Sequence, residues 1–152
     1  MADDVTFGGF VPYVSYEDAG AALDWLSRAF GFEERARYVD KDGLVQQAEM
    51  RVGTAELWVS ALKPGDDASR HADTWIGLWV DDVDAMHARV VAAGIEASDP
   101  VDKDYDVRTF DVKDPSGYWW GFMKRLGTTY VQRIPTEEGG LEEILASGAT
   151  AT

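Results

Sequence analysis

The sequence predicts an α+β fold built from two tandem β-α-β-β-β units. Strand-like alternation and helix-like periodicity of apolar residues follow each other in the same order in both halves of the chain. Matching residues also mark the same boundaries. Asp18 precedes the first predicted helix as Asp82 precedes the second, and Gly31 and Gly94 follow the two helices. An internal repeat therefore organises the chain.

The first unit covers about residues 8–62. Ser15 and Asp18 are spaced as in a capping box, so we expect them to begin a helix that ends at Gly31. The segment after the unit, residues 63–74, is polar and contains proline and glycine, which predicts a linker. Alternating apolar and polar residues predict the strands of this unit, which cover residues 10–16, 32–39, 44–52 and 55–61.

The second unit covers residues 75–125 and contains the most informative hairpin of the chain. The turn of that hairpin is Asp114-Pro115-Ser116-Gly117, with proline and glycine at the positions that a turn favours. The strand after the turn is almost wholly aromatic. The other predicted parts of this unit are a strand at residues 75–80, a helix from Asp82 to Gly94, a strand near residues 95–98 and a loop at residues 99–106.

Residues 126–152 lie outside the repeat and form a C-terminal extension. Residues 1–125 are long enough to bury a core, so we expect them to form a single domain. The predicted parts of the extension are a short strand at residues 129–133, one or two amphipathic helical turns around Leu141, Ile144 and Leu145, and a disordered end at residues 147–152.

The composition limits the classes of partner. The 152 residues include 28 acidic and 14 basic side chains, and the net charge of −14 disfavours nucleic acid and anionic membrane surfaces. This charge serves solubility, or it favours a cationic ligand. The chain has no cysteine, which excludes disulfides and cysteine nucleophiles. No apolar run is as long as a membrane span and the N-terminus is acidic, so we expect a cytoplasmic protein.

Three segments within the repeat are typical of one group of proteins. They are AFGF (29–32), VDDVDA (80–85) and DPSGYWWGF (114–122). In this order they resemble the vicinal oxygen chelate superfamily, which includes glyoxalases, extradiol dioxygenases, fosfomycin-resistance enzymes and bleomycin-resistance binding proteins. The resemblance covers roughly residues 8–125. It implies two βαβββ modules that form a curled mixed sheet around a cleft, with helices on the convex side, and commonly a homodimer.

The enzymes of this superfamily hold a divalent metal ion with His, Gln or Glu from the first and last strand of each module. The matching positions here hold Val11 or Pro12, Glu56 or Trp58, Trp75 and Gly121. Among them, only Glu56 has a side chain of a type that can bind a metal ion. Glu49, Glu56 and Asp111 offer oxygen ligands, but their spacing specifies no site. His71 in the linker and His87 on the second helix are expected to be structural. We therefore expect no metal and no cofactor.

Strand alternation predicts which side chains face the cleft. The regularly apolar face of each strand should meet the helices, and the other face should line the cleft. Phe110, Val112, Trp120 and Phe122 are therefore expected in the core. The cleft face combines aromatic rings with carboxylates, and its candidate ligand-binding residues are Tyr13, Gln47, Glu49, Glu56, Trp58, Trp75, Trp79, Asp111 and Trp119.

Indole rings bind planar and cationic groups, and nearby carboxylates complement positive charge. The sequence therefore favours a metal-independent binding protein that sequesters an aromatic or cationic natural product in drug resistance. One alternative is a lyase, isomerase or dioxygenase that uses Glu49 or Glu56 as general base and Tyr13 to polarise an oxygen, or that has an atypical metal site. Another is a partner-binding module whose aromatic residues fill the cleft or a subunit interface, with the C-terminal extension docked on it.

Overall fold

The computed structural model describes residues 4–127, 131–135 and 141–145. Within these residues, ten strands and two α-helices occur, with a short 3₁₀ helix, Ala68–Asp73, in the linker. The prediction of two tandem βαβββ modules in an α+β fold is confirmed. In chain order the elements are β1 Tyr13–Tyr16, α1 Ala19–Phe30, β2 Glu33–Val39, β3 Val45–Val52, β4 Ala55–Ala61, β5 Trp75–Trp79, α2 Val83–Ala92, β6 Val101–Lys103, β7 Val107–Lys113, β8 Trp119–Arg125, β9 Val131–Pro135 and β10 Leu141–Leu145.

Each module forms one four-stranded mixed sheet, and the two sheets have the same strand order. The first sheet is ordered β1-β4-β3-β2 and the second β5-β8-β7-β6. The first and last strands of each module are parallel neighbours, while the remaining pairs are antiparallel. Hydrogen bonding thus divides the expected mixed sheet into two halves of four strands.

Both helices begin at an aspartate, as the repeat predicts. Asp18 Oδ1 accepts the N–H of Ala21 at 3.0 Å, and Asp82 Oδ1 accepts the N–H of Ala85 at 2.9 Å. Each carboxylate thereby satisfies an N–H that has no partner within the helix. Gly31 ends α1 in the left-handed conformation, at a φ of 76°. Neither α-helix is long and apolar enough to cross a membrane.

Three expectations about local structure are wrong. Ser15 does not cap α1, because it lies in β1 with its hydroxyl 2.8 Å from that of Ser60. Residues 95–98 are not a strand; the strand is β6, Val101–Lys103, which lies within the expected loop at residues 99–106 and follows Pro100, a residue with no N–H to donate. The expected helical turns at residues 141–145 are β10, because this segment pairs antiparallel with β9 and its backbone bonds are satisfied there. The expected disordered end, residues 147–152, lies outside the described residues.

One buried core joins the two modules. Phe110, Val112, Trp120 and Phe122 are fully buried, as predicted for the hairpin. Phe30, at the end of α1, packs on Trp120 and Phe122 of the second sheet, with ring centroids 5.6 and 4.9 Å apart. The apolar faces of both sheets therefore belong to the same core, and the opposite faces, which carry the predicted site residues, are turned away from it.

Candidate functional site

The outward face of the second sheet carries three of the predicted tryptophans. Trp75 and Trp79 lie on the same face of β5, and Trp119 lies beside Trp75 in the parallel strand β8. These residues are 51%, 56% and 37% exposed, respectively. Such large rings are normally buried, and clusters of exposed indoles are typical of binding surfaces. We call Trp75, Trp79 and Trp119 the tryptophan platform.

Two glycines allow the Trp75 ring to lie against the sheet. Gly77 of β5 and Gly121 of β8 are neighbours in the parallel register. A Cβ added at either glycine would collide with the Trp75 indole. The far edge of the ring reaches Asp111, whose Oδ1 accepts the Trp75 Nε1–H at 2.9 Å. The missing side chains at these two positions therefore make room for a ring that stacks on the sheet.

Two cationic side chains lie against the tryptophan platform. The guanidinium carbon of Arg125 is 4.5 Å from the ring centroid of Trp79, and the Lys113 ammonium is 5.7 Å from that of Trp119. Each contact contributes about 0.5–1 kcal/mol at an exposed site. Sequence reasoning missed both cations. The alternation of β8 continues beyond Trp119 and Gly121 and places Arg125 on the same face. This pattern could have predicted the position of Arg125 from the sequence.

The outward face of the first sheet gathers a second set of predicted residues. Tyr13 is the parallel neighbour of Trp58, and their rings meet edge to face with centroids 6.2 Å apart. Glu49 is the antiparallel neighbour of Trp58, and Gln47 lies two residues before it on the same face of β3. Trp58 Nε1 is closed off from solvent and has no hydrogen-bond partner in the described part of the chain.

Glu56 lies on the same sheet, beside Arg51 in the antiparallel ladder. The Arg51 guanidinium pairs instead with Glu33, at 2.6 Å from its carboxylate. Glu56 therefore keeps its charge exposed at the start of β4. This carboxylate and Glu49 make the outward face of the first sheet acidic.

A groove connects one residue of each set. Glu56 and Trp79 both line a cavity of about 510 Å³ between β4 and β5. Asp111 and Trp119 line another cavity, of about 520 Å³. The nine predicted residues are therefore not gathered around one point. They divide into Tyr13, Gln47, Glu49, Glu56 and Trp58 on the first sheet, and Trp75, Trp79, Asp111 and Trp119 on the second.

The residues at the metal positions of the superfamily do not fit a metal ion. Trp75 and Gly121 occupy two of these positions, and the indole of the first covers the second. Within the described residues, no three His, Asp or Glu side chains gather closely enough to hold a metal ion. Catalytic metal ions such as Zn²⁺ are usually held by at least three side-chain donors. We therefore assign no chemical step to a metal here.

The two histidines make structural contacts. The His71 ring stacks on Tyr118 at a centroid distance of 4.0 Å, and its Nδ1 is 2.8 Å from the Ser116 hydroxyl. These contacts attach the linker to the turn between β7 and β8, four residues before Trp75 begins β5. His87 meets the Phe110 ring edge-on at 5.1 Å. Both side chains therefore have partners that explain their positions.

Asp114 is the buried anchor of the hairpin turn, a role that sequence reasoning missed. Its Oδ1 accepts the backbone N–H groups of Ser116 and Tyr118 at 2.9 and 3.0 Å. Its Oδ2 accepts the Tyr16 hydroxyl at 2.7 Å and Trp120 Nε1–H at 3.0 Å. Burial, reinforced by this carboxylate, raises the pKa of Tyr16 far above its usual range. Asp114 therefore fixes the start of β8, the strand that carries Trp119 of the platform.

Comparison with known proteins agrees with this architecture. The sequence profile of the Glyoxalase/Bleomycin resistance protein/Dioxygenase superfamily matches residues 10–122. TioX from Micromonospora sp. ML1 is 30% identical, with a TM-score of 0.68, and the match covers 79% of this chain and 100% of TioX. A comparison with curated protein sequences found no match.

More distant structures show the same fold. The bleomycin-binding protein from bleomycin-producing Streptomyces verticillus, solved with copper(II)-bleomycin, is 24% identical over 78% of this chain and 96% of its own, with a TM-score of 0.62. A glyoxalase-related enzyme from Clostridium phytofermentans is 13% identical over 81% of this chain and 98% of its own, with a TM-score of 0.65. The family profile and the two repeated modules lead to one conclusion. This chain belongs to the glyoxalase/bleomycin resistance protein/dioxygenase superfamily.

Proposed function

We propose that this chain is a metal-independent binding protein that sequesters an aromatic or cationic natural product. The observation that carries the proposal is the tryptophan platform, in which the Trp75 ring lies over two glycines and stays half exposed. Stacking of aromatic rings contributes about 0.5–1.5 kcal/mol beyond the area that it buries. Glu49 and Glu56 on the first sheet would complement a positive group of the same ligand.

Metal independence is supported by the residues at the superfamily's metal positions. Trp75 replaces a donor with an indole, and Gly121 has no side chain. A ligand would therefore bind through ring stacking, hydrogen bonds and charge, without coordination to a resident ion. Small-molecule binding as such is in keeping with relatives in the superfamily, since two of the similar structures are bleomycin-binding proteins solved with bleomycin or its copper complex.

The proposal includes a homodimer that acts in the cytoplasm as a resistance protein. Beyond the platform, Phe7 and Phe10 of the segment before β1 are almost fully exposed. Exposed apolar area of this kind marks a surface that binds another molecule, and aromatic residues are enriched where subunits meet. Sedimentation equilibrium of the full chain tests this part, and a monomer at micromolar concentration would contradict it.

Tryptophan fluorescence titration tests the binding function. The panel contains bleomycin and other planar aromatic natural products, and at least one should cause a saturable change that is lost in Trp119→Ala. Elemental analysis of protein purified without chelators tests the metal-free part. A folded protein that responds to no member of the panel would contradict the binding function, and one tightly bound divalent ion per chain would contradict metal independence.

A further inference from the structure

The positive charges at the tryptophan platform are available to a ligand. Arg125 and Lys113 take no part in the ion pairs of the described residues, in which the paired cations are Arg37, Arg51 and Arg108. Their contacts in the structure are with the faces of Trp79 and Trp119. Each cation thus lies beside an indole and forms no ion pair with a carboxylate of the described residues.

The carboxylate on the same face is already engaged. Asp111 Oδ1 accepts the indole N–H of Trp75 at 2.9 Å, so this acidic side chain holds the platform together. Arg125 and Lys113 contact the indoles only through the ring faces, so their N–H donors remain able to pair with an anionic ligand. The face predicted from the sequence combined aromatic rings with carboxylates, and the structure adds these two cations to it.

A planar cation and a planar acid would meet this surface differently. A cation stacked on Trp79 would approach Arg125 and would have to displace the guanidinium from the ring. An acid that lies beside Arg125 leaves the guanidinium on Trp79 and can accept hydrogen bonds from its outer edge, whose planar donors suit a carboxylate. Local charge at the platform therefore favours the acid.

Resting on the binding function proposed above, we propose that the tryptophan platform takes a planar aromatic acid, and that Arg125 and Lys113 select its charge. Arg125 carries the larger share, because Glu96 lines the same cavity as Lys113. The net charge of −14 does not prevent this, since charges beyond about 8 Å are largely screened at physiological ionic strength. Glu56, across the groove from Trp79, is placed for a cationic group elsewhere on the same molecule.

Three probes with one ring system test this charge selection. Naphthalene-2-carboxylate, naphthalene-2-carboxamide and 2-naphthylmethylammonium share a bicyclic ring and differ in charge. Isothermal titration calorimetry of the full chain at physiological salt should give the tightest binding for the carboxylate, about tenfold tighter than for the ammonium. A preference for the ammonium would overturn the inference and leave the proposed binding function intact. Failure of all three probes to bind would contradict the platform as a binding site altogether.

Arg125→Met keeps the length of the side chain and removes its charge. The carboxylate affinity should fall about tenfold, to that of the carboxamide, while the ammonium affinity should rise. Arg37→Met is the matched control, since Arg37 lies on β2 in an ion pair with Glu34 and should change none of the three affinities. If Arg125→Met instead strengthens binding of all three probes, Arg125 only covers Trp79 and the inference is wrong. Circular dichroism confirms that each variant is folded.

Discussion

The indole N–H of Trp75 donates to Asp111 at 2.9 Å across an intervening strand. Trp75 lies on β5 and Asp111 on β7, and β8 runs between them. The ring therefore spans three strands of the second sheet and is held at both ends. This arrangement gives the protein a flat, preorganised aromatic surface. Preorganisation lowers the loss of conformational entropy on binding.

Gly121→Ala should weaken ligand binding with little effect on the fold. The added methyl group would collide with the Trp75 ring, push it off the sheet and break its bond to Asp111. We expect a loss of about tenfold in affinity for a bicyclic aromatic probe, measured by calorimetry. Gly8→Ala is the control, because nothing lies within 4 Å of a Cβ added there. Equal affinities of the two variants would show that the platform does not bind the ring.

Removal of Trp120 should mainly lower stability, whereas removal of its neighbour Trp119 should mainly weaken ligand binding. Trp120 is 1% exposed and packs in the core, so Trp120→Ala should lower the free energy of unfolding by about 3–5 kcal/mol. Trp119 is part of the platform, so Trp119→Ala should change stability by less than about 1 kcal/mol and should abolish ligand stacking. Urea denaturation and calorimetry of both variants check the pair. A stability loss of equal size in the two would contradict the assigned faces.

Asp114→Asn should destabilise the protein more than the same substitution at a surface aspartate. The carboxylate accepts four hydrogen bonds, and an amide nitrogen in place of one oxygen would leave two buried donors facing a third donor. We expect a loss of about 2–4 kcal/mol in urea denaturation. Asp99→Asn, at an exposed position, serves as the control. If the two variants are equally stable, Asp114 is not the anchor of the turn.

Stability should fall at alkaline pH through Tyr16. Burial and the Asp114 carboxylate raise the pKa of this tyrosine above its usual 10.0. The unfolded chain loses the proton near that pH and the folded chain keeps it, so stability is full below pH 10.0 and declines as the pH rises past it. The slope is about 1.4 kcal/mol per pH unit. Tyr16→Phe should make this decline shallower without abolishing it, because burial also raises the pKa of Tyr118. Urea denaturation at several alkaline pH values checks this, and parallel curves for the two proteins would contradict the assignment.

The sequence was sufficient for the architecture and for the side of the sheet on which most site residues lie. Both depend on periodicity, and in β8 alternation separated Trp119 from the buried Trp120. It was not sufficient for contacts between distant parts of the chain. Tyr16 reaches Asp114 from 98 residues away, and no local pattern encodes that bond.

Other features that the sequence did not predict depend on contacts that form only when the strands pair and the aromatic rings pack. Gly121 suggested a lost metal ligand in the sequence, but the structure shows that its missing side chain also makes room for Trp75. The strand β10 was mistaken for helical turns because its pairing with β9 overrides the spacing of its apolar residues. The sequence did not reveal the role of Arg125 for a similar reason, because this side chain meets the Trp79 ring only in the folded sheet.

Ligand titration in the presence and absence of a chelator distinguishes metal-independent binding from binding that needs a metal ion. The protein is treated with EDTA, dialysed, and titrated by tryptophan fluorescence with the compound of the natural-product panel that gives the largest response. We expect the same saturable signal and the same affinity with and without EDTA, and loss of the signal in Trp119→Ala. Loss of binding after EDTA, restored by a divalent metal, would contradict it.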